Sequence, residues 1–251
     1  MEKLSVIVPT YNEAHNIEGV LKTVQFADEI IVVDSFSTDN TVALAKPHAT
    51  RILQRKFDYS ASQKNWTIPQ AKHEWIFLLD ADERCTPALE AEIKQILKSP
   101  PKDLAGFWIY RKNHFMGSHI RYSGWQNDKV VRLFKKSLCR YEDKQVHEEI
   151  IAQGRLYYLE HRLLHNTYIN LDAYISKLNR YAYLQALDYD VTTNRLNPFH
   201  FFIKPSWRFF KHYFLQQGFR DGVPGFVISF SASYSIVMRY TKLWLYRRGE
   251  R

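Results

Sequence analysis

The chain has 251 residues, 45% of them hydrophobic, enough for one large domain with an appendage, and its only cysteines, Cys85 and Cys139, exclude a disulfide framework. The net charge of +9 is a C-terminal property, because residues 204–251 hold nine Lys or Arg against Asp221 and Glu250. Met1-Glu2-Lys3 leads into a strand-like run without the apolar stretch of a signal peptide, and no segment reaches the roughly 20 apolar residues of a membrane span, so a reducing, cytoplasmic setting is expected.

Leu4 to Val8 is a short apolar run, and Asn12 stands as a helix cap ahead of Ile17, Val20, Leu21 and Val24 at helical spacing. Glu29 to Asp34 reads as a buried strand ending in a carboxylate, and a helix restarts from Ser37 to Ala45. A third strand (Arg51 to Leu53), a helix from about Ser60 to Lys72 and a fourth strand (Trp75 to Leu79) continue the alternation. Strands alternating with helices predict an α/β fold with a parallel sheet flanked by helices on both faces. Thr86-Pro87 then opens a helix with Leu89, Ile93, Ile96 and Leu97 on one face.

From about 105 to 160 the pattern turns strand-like and mixed, with Gly117, Gly124 and Gly154 between the runs. Leu171, Tyr174, Ile175, Leu178, Tyr181 and Ala182 mark a long helix, and an aromatic, basic tail follows. Gly222 to Met238 is uncharged but holds four serines, a proline and two glycines, and is expected to be interfacial or buried.

In open parallel sheets ligands bind beyond the carboxyl ends of the strands, and three such ends carry polar clusters: Pro9 to Glu13, Asp34, and Asp80-Ala81-Asp82. The first loop lacks glycine, which disfavours a dinucleotide fingerprint or a P-loop, so phosphates need other neutralising groups. Two carboxylates one residue apart at a strand end suit a Mg²⁺ or Mn²⁺ whose remaining positions go to water and diphosphate oxygens.

These blocks match a family. Val8-Pro9-Thr10-Tyr11-Asn12-Glu13, Val33-Asp34-Ser35-Phe36-Ser37-Thr38-Asp39-Asn40-Thr41, Gln63-Lys64-Asn65 and Leu79-Asp80-Ala81-Asp82-Glu83 resemble, in order and spacing, the family 2 inverting glycosyltransferases of the GT-A fold. The resemblance implies a Rossmann-like, mainly parallel sheet with a nucleotide-sugar donor. It places Thr10, Glu13 and Asp34 near nucleobase and ribose, Lys64 near the nucleotide, Asp80 on ribose or metal, and Asp82 as principal metal ligand. Trp125-Gln126-Asn127-Asp128, Arg132-Leu133-Phe134, Val146-His147-Glu148, His165, Lys177 to Tyr181 and Gly218 to Gly222 look like the lipopolysaccharide-core glucosyltransferase branch. The implied organisation is a catalytic domain over 1–165, divided into a nucleotide-sugar half (1–100) and an acceptor half (101–165), with a helical membrane-surface extension over 166–251.

An inverting transfer needs a carboxylate to take the acceptor proton. Glu148 is the first choice, with Asp143 and Asp128 open beside it and Glu149 a weaker rival that would point away from Glu148 in an extended segment. His147 and His165 are candidate contacts to metal or diphosphate, with a packed or surface position as the alternative; Trp125 is a candidate stacking surface for an acceptor sugar or a core aromatic, and Arg132 a candidate phosphate contact or a residue on a strand's wet face.

The tail's Lys204, Arg208, Lys211, Arg220, Arg239, Lys242, Arg247 and Arg248 among Phe, Trp and Tyr suit an anionic leaflet, at about 1 kcal/mol per charge, and not a nucleic acid. The expected reaction is transfer of a hexose, glucose from UDP-glucose first, to a lipid-linked glycan such as a lipopolysaccharide inner core. The competing readings are a polyprenyl phosphate acceptor and a non-catalytic membrane adaptor. A sugar-1-phosphate nucleotidyltransferase would need a glycine-rich first loop.

Overall fold

The computed structural model describes residues 1–144, 149–168 and 170–250. The chain forms two compact units, one of residues 1–111 with 128–165, the other of residues 112–127 with 166–251.

The first unit begins β1 (Leu4–Thr10), α1 (Ile17–Lys22), β2 (Glu29–Asp34), α2 (Thr41–Ala45), β3 (Arg51–Gln54), α3 (Ser60–Thr67), β4 (Trp75–Leu78), β5 (Glu83–Arg84) and α4 (Pro87–Lys98). Then follow β6 (Leu104–Phe115), β7 (Ser118–His119), β8 (Lys129–Lys135), β9 (Cys139–Tyr141), β10 (Ile150–Ala152), β11 (Arg155–Tyr158) and β12 (Leu163–Tyr168), β7 and the far ends of β6 and β12 lying in the second unit. The sheet order is β3-β2-β1-β4-β8-β6-β12-β5. The four leading strands run parallel, as the alternation predicts, and β8 is antiparallel to both β4 and β6.

The apolar runs are buried on both faces with a period of two. Val6, Val8, Ile30, Val32, Phe77 and Leu79 pack with Ile17, Leu21, Leu89 and Ile93 of α1 and α4. Ile7, Ile31, Val33, Ile76 and Leu78 face the other way, onto Ala61 and Ile68 and onto Phe134 and Tyr141. Thr86 caps α4 by accepting from the Leu89 amide at 3.2 Å, with Pro87 at the first helical position.

Two local expectations change. The helix expected from Ser60 to Lys72 ends at Thr67 and continues only as a 3₁₀ turn, Ile68–Gln70, because Pro69 has no N–H to extend the α ladder. Asn12 does not cap a helix: it adopts a left-handed φ of 54°, which asparagine tolerates, and α1 starts after Asn16.

In the second unit the β6–β7 hairpin turns through Met116 and Gly117, both at positive φ. α5 (Leu171–Thr192) is capped by Asn170, whose side chain accepts from the Ala173 amide at 2.8 Å. After a π-helical turn (Phe199–Ile203) come α6 (Lys204–Phe210), a second π-helical turn (Lys211–Leu215) and α7 (Gly222–Arg247). Phe115, Ile120, Tyr174 and Ile228 form one core of this unit, and Ala186, Ile236, Tyr240 and Leu243 another. Among the described residues no helix is long and apolar enough to cross a membrane.

Candidate active site

Strand register brings the three polar ends together. Thr10 at the end of β1 pairs with Asp34 at the end of β2, and the Leu79 amide donates to the Ile7 carbonyl at 3.0 Å, carrying β1's alignment toward Asp80. The first loop is fastened to the second. The amides of Asn12, Glu13 and Ala14 donate to Ser37 Oγ, Thr41 Oγ1 and Asp39 Oδ2 at 2.9, 2.8 and 3.2 Å, and Asn12 Oδ1 accepts from the Thr38 amide at 2.8 Å. Asp34 is fully buried and accepts from the Ser37 amide and, at 3.1 Å, from Gln54 Nε2. Glu13 accepts from Asn16 Nδ2 at 2.9 Å. Thr10 is buried, and its Oγ1 finds no partner among the described residues.

Beyond β4 lies a charged cluster. The buried Arg132 on β8 donates through Nη2 to Asp80 and, at 2.9 Å, to the fully buried Glu83. Arg111 on β6 reaches Glu83 at 3.3 Å and grips both oxygens of Asp128, at 2.9 and 2.7 Å. Burial by itself would raise the Asp80 carboxyl, but the charges of Arg132, Lys64, Arg111 and His165 hold it well below the usual carboxylate range. Burial likewise opposes the charge on Arg132, and Asp80 and Glu83 outweigh it, so the guanidinium stays firmly protonated. The Nε of Arg132 is buried without a partner among the described residues.

Asp82 stands two residues on, its Oδ2 3.5 Å from His165 Nε2. The antiparallel pairing of β5 with β12 sets His165 opposite Glu83 and so fixes this approach. Asp82 and His165 supply one oxygen and one nitrogen donor, a pair that fits a divalent ion completed by ligand oxygens and water. Among the described residues no group of three or more His, Cys, Asp or Glu is arranged to hold a metal, so ligand and water would have to fill the remaining positions.

The Gln63-Lys64-Asn65 block lies on α3. Gln63 Nε2 donates to Ser35 Oγ at 2.8 Å, Lys64 is buried with Nζ 4.7 Å from the Tyr141 ring centroid, and Asn65 bonds both the amide and the carbonyl of Tyr141 at 2.8 and 2.9 Å. Asp143 accepts from Tyr59 Oη and borders a cavity of about 460 Å³ lined also by Trp66, Arg140 and Tyr141. Trp125 belongs to the second unit, where its ring meets Phe115 edge-on at 5.9 Å. Glu148 and His147 lie outside the described residues; the carbonyl of Glu149 accepts from the Glu142 amide at 2.8 Å.

Sequence reasoning gave no role to Glu83, Arg111 or Tyr141. Glu83 adjoins the Asp-x-Asp step and could have been read as its support, whereas nothing local marks Arg111, which the register of β6 against β8 brings into place.

The fold is an α/β arrangement whose polar clusters lie beyond the carboxyl ends of parallel strands, where open sheets of this kind bind ligands. Residues 5–157 match the model of glycosyl transferase family 2, and the chain belongs to that family. It is 28% identical to an uncharacterized glycosyltransferase of Rickettsia felis, with 97% of this chain and 90% of that one covered. It is 26% identical to the lipopolysaccharide core biosynthesis glycosyltransferase LpsC of Rhizobium meliloti, with 96% and 92% covered. Among solved structures, S. aureus TarS 1-349 in complex with UDP-GlcNAc shares 15% identity, covers 99% of this chain and 92% of its own, and has a TM-score of 0.50, a likeness of fold. The expected GT-A architecture is therefore present.

Proposed function

We propose that the protein moves a hexose, with glucose from UDP-glucose as the expected donor, onto a sugar hydroxyl of a lipid-linked acceptor such as a lipopolysaccharide inner core, inverting the anomeric centre. The observation that carries this reading is the Asp80-Ala81-Asp82 step beyond β4, with Asp80 kept ionised by Arg132 and Asp82 set beside His165.

In this reading residues 1–100 hold the donor, residues 101–165 shape the acceptor side, and residues 166–251 rest against the inner face of the cytoplasmic membrane. Thr10, Glu13 and Asp34 take the nucleobase and ribose, and the unpartnered Oγ1 of Thr10 supports a polar ligand there. Lys64 adds positive charge on the nucleotide, and Asp80 is directed by Arg132 toward ribose or metal. Asp82 and His165 would hold Mg²⁺ or Mn²⁺, which when bound offsets charge on the departing diphosphate.

The acceptor hydroxyl must lose its proton as it attacks opposite that leaving group. Glu148 is the proposed base, with Asp143 as rival. Asp128 is the weakest of the three, since both its oxygens are held by Arg111 and a proton taken there would break a bidentate pair. His147 and Trp125 stay proposed as acceptor-side contacts.

The test is diphosphate release from a panel of UDP-, GDP- and dTDP-sugars with Mg²⁺ or Mn²⁺, with and without chelator. Metal-dependent turnover of one donor supports the reading and names the sugar. Absence of both turnover and nucleotide binding would leave a non-catalytic membrane adaptor as the better account.

A further inference from the structure

A surface helix ordinarily turns its apolar stripe inward. In the second unit α6 carries an outward apolar stripe, and α7, which buries Ile228, Ile236, Tyr240 and Leu243, carries a second apolar stripe facing out. Trp207, Phe210 and Phe214, spaced by three and four along α6 and the π-turn after it, share one face and are 57%, 44% and 50% exposed. On α7, Val223, Phe226 and Phe230 repeat that spacing and are also exposed, while Gly225, Ile228, Ser229 and Ser231 are buried.

Ring contacts join the two stripes. Phe226 meets Phe209 at 6.0 Å and Tyr213 at 5.9 Å, both edge-on, and stacks on Phe230 at 6.2 Å, and Tyr213 in turn meets Phe214 at 5.2 Å. Phe210 lies 5.9 Å from Trp207 and 5.2 Å from Phe214. The outcome is one continuous aromatic platform open to solvent, larger than scattered surface apolar residues would give.

Charge selects its partner. From Val191 to Arg220 there is no Asp or Glu, while Arg195, Lys204, Arg208, Lys211 and Arg220 all fall within that span. A second copy of the chain would oppose this charge with its own, whereas an anionic bilayer complements it and offers an apolar layer beneath the headgroups.

We propose that this platform inserts into the interface of an anionic bilayer, with the aromatic rings below the headgroups and the flanking Lys and Arg among them. This rests on the membrane-surface placement of residues 166–251 given above and adds the mode of contact, penetration by rings beyond adsorption by charge.

The experiment uses the full chain carrying Phe214→Cys labelled with a polarity-sensitive dye, Cys85 and Cys139 being buried, and vesicles of phosphatidylcholine with phosphatidylglycerol. Insertion predicts a blue-shifted dye, quenching by brominated acyl chains, and vesicle flotation that survives about 0.5 M salt, where the Debye length has shrunk to a few Å. Phe226→Ser with Phe230→Ser should weaken partitioning by about tenfold or more while leaving donor hydrolysis and the circular dichroism spectrum unchanged. Flotation without a dye shift, lost in salt, overturns insertion and keeps the surface placement. No flotation at all overturns both. Self-association without vesicles, abolished by the same double substitution, overturns the proposal and assigns the platform to a second copy.

Discussion

His165 Nε2 approaches Asp82 Oδ2 to 3.5 Å because the two-residue strand carrying Glu83 pairs with the strand carrying His165. An imidazole and a carboxylate from different strands thus meet at one point, which gives the metal proposal a test of its own. His165→Ala should raise the Mn²⁺ concentration needed for half-maximal turnover by about 10- to 100-fold, with nucleoside affinity little changed. Titrating metal against initial rate checks it, and an unchanged requirement would assign His165 a packing role.

Arg132 is the keystone of the charged cluster. Replacing it by Met leaves the fully buried Glu83 without its closest cation and should cost about 3–5 kcal/mol of stability, measured by urea unfolding.

The same pair sets a pH dependence. Asp80 is held below its unfolded-state value, so its contribution to stability is complete above the unfolded carboxyl value of about 3.9 and is lost as pH falls from there toward the depressed native value. The stability difference between the parent and Arg132→Met should therefore be largest near neutral pH and narrow as pH falls below about 3.9. Urea unfolding of both proteins at neutral pH and near pH 3 distinguishes this from a uniform loss of stability, which would keep the difference constant.

Glu148→Gln should reduce transfer to acceptor by about 10²- to 10⁴-fold while donor binding persists, as expected for loss of a general base. Asp143→Asn should do much less, since the Asp143 carboxylate is already engaged by Tyr59. Steady-state kinetics with a fixed donor decide between them, and a reversal of the two effects would move the base to Asp143.

In the second unit Asp221 accepts from the amides of Arg121 and Tyr122 at 3.0 and 2.9 Å and from Ser123 Oγ at 2.8 Å. Asp221→Ala should cost about 1–3 kcal/mol by leaving those donors unmatched. Gly225→Ala is expected to be worse, because a Cβ there would stand 1.9 Å from the Gly218 carbonyl oxygen. Thermal unfolding of the two variants ranks them.

Periodicity was sufficient for the parallel half of the sheet. Continuous apolar runs at β1, β2 and β4, each closed by polar residues, specify buried parallel strands and put Thr10, Asp34 and Asp80 at one edge. What local pattern could not supply was partnership. Arg132 reads locally as a phosphate contact or a wet-face cation and nothing local marks Arg111; only antiparallel register turns them inward onto Asp128, Glu83 and Asp80. Asn12 illustrates the opposite failure: a good capping residue near a helix, drawn instead into a left-handed bridge by acceptors and donors 25 and 26 residues away. The outward aromatic stripe of α7 was hidden as well, since the sequence gives the spacing of Phe226 and Phe230 but not which face is buried.

The bonds from Asn12, Glu13 and Ala14 to Ser37, Thr41 and Asp39 have a consequence for binding thermodynamics. Three consecutive amides are already committed within the protein, so the wall of the cleft loses its conformational freedom at folding and a ligand need not order it. Ser37, Asp39 and Thr41 thereby become determinants of affinity through the loop they hold: loosening any of them would transfer an entropy cost from the folding step to the binding step.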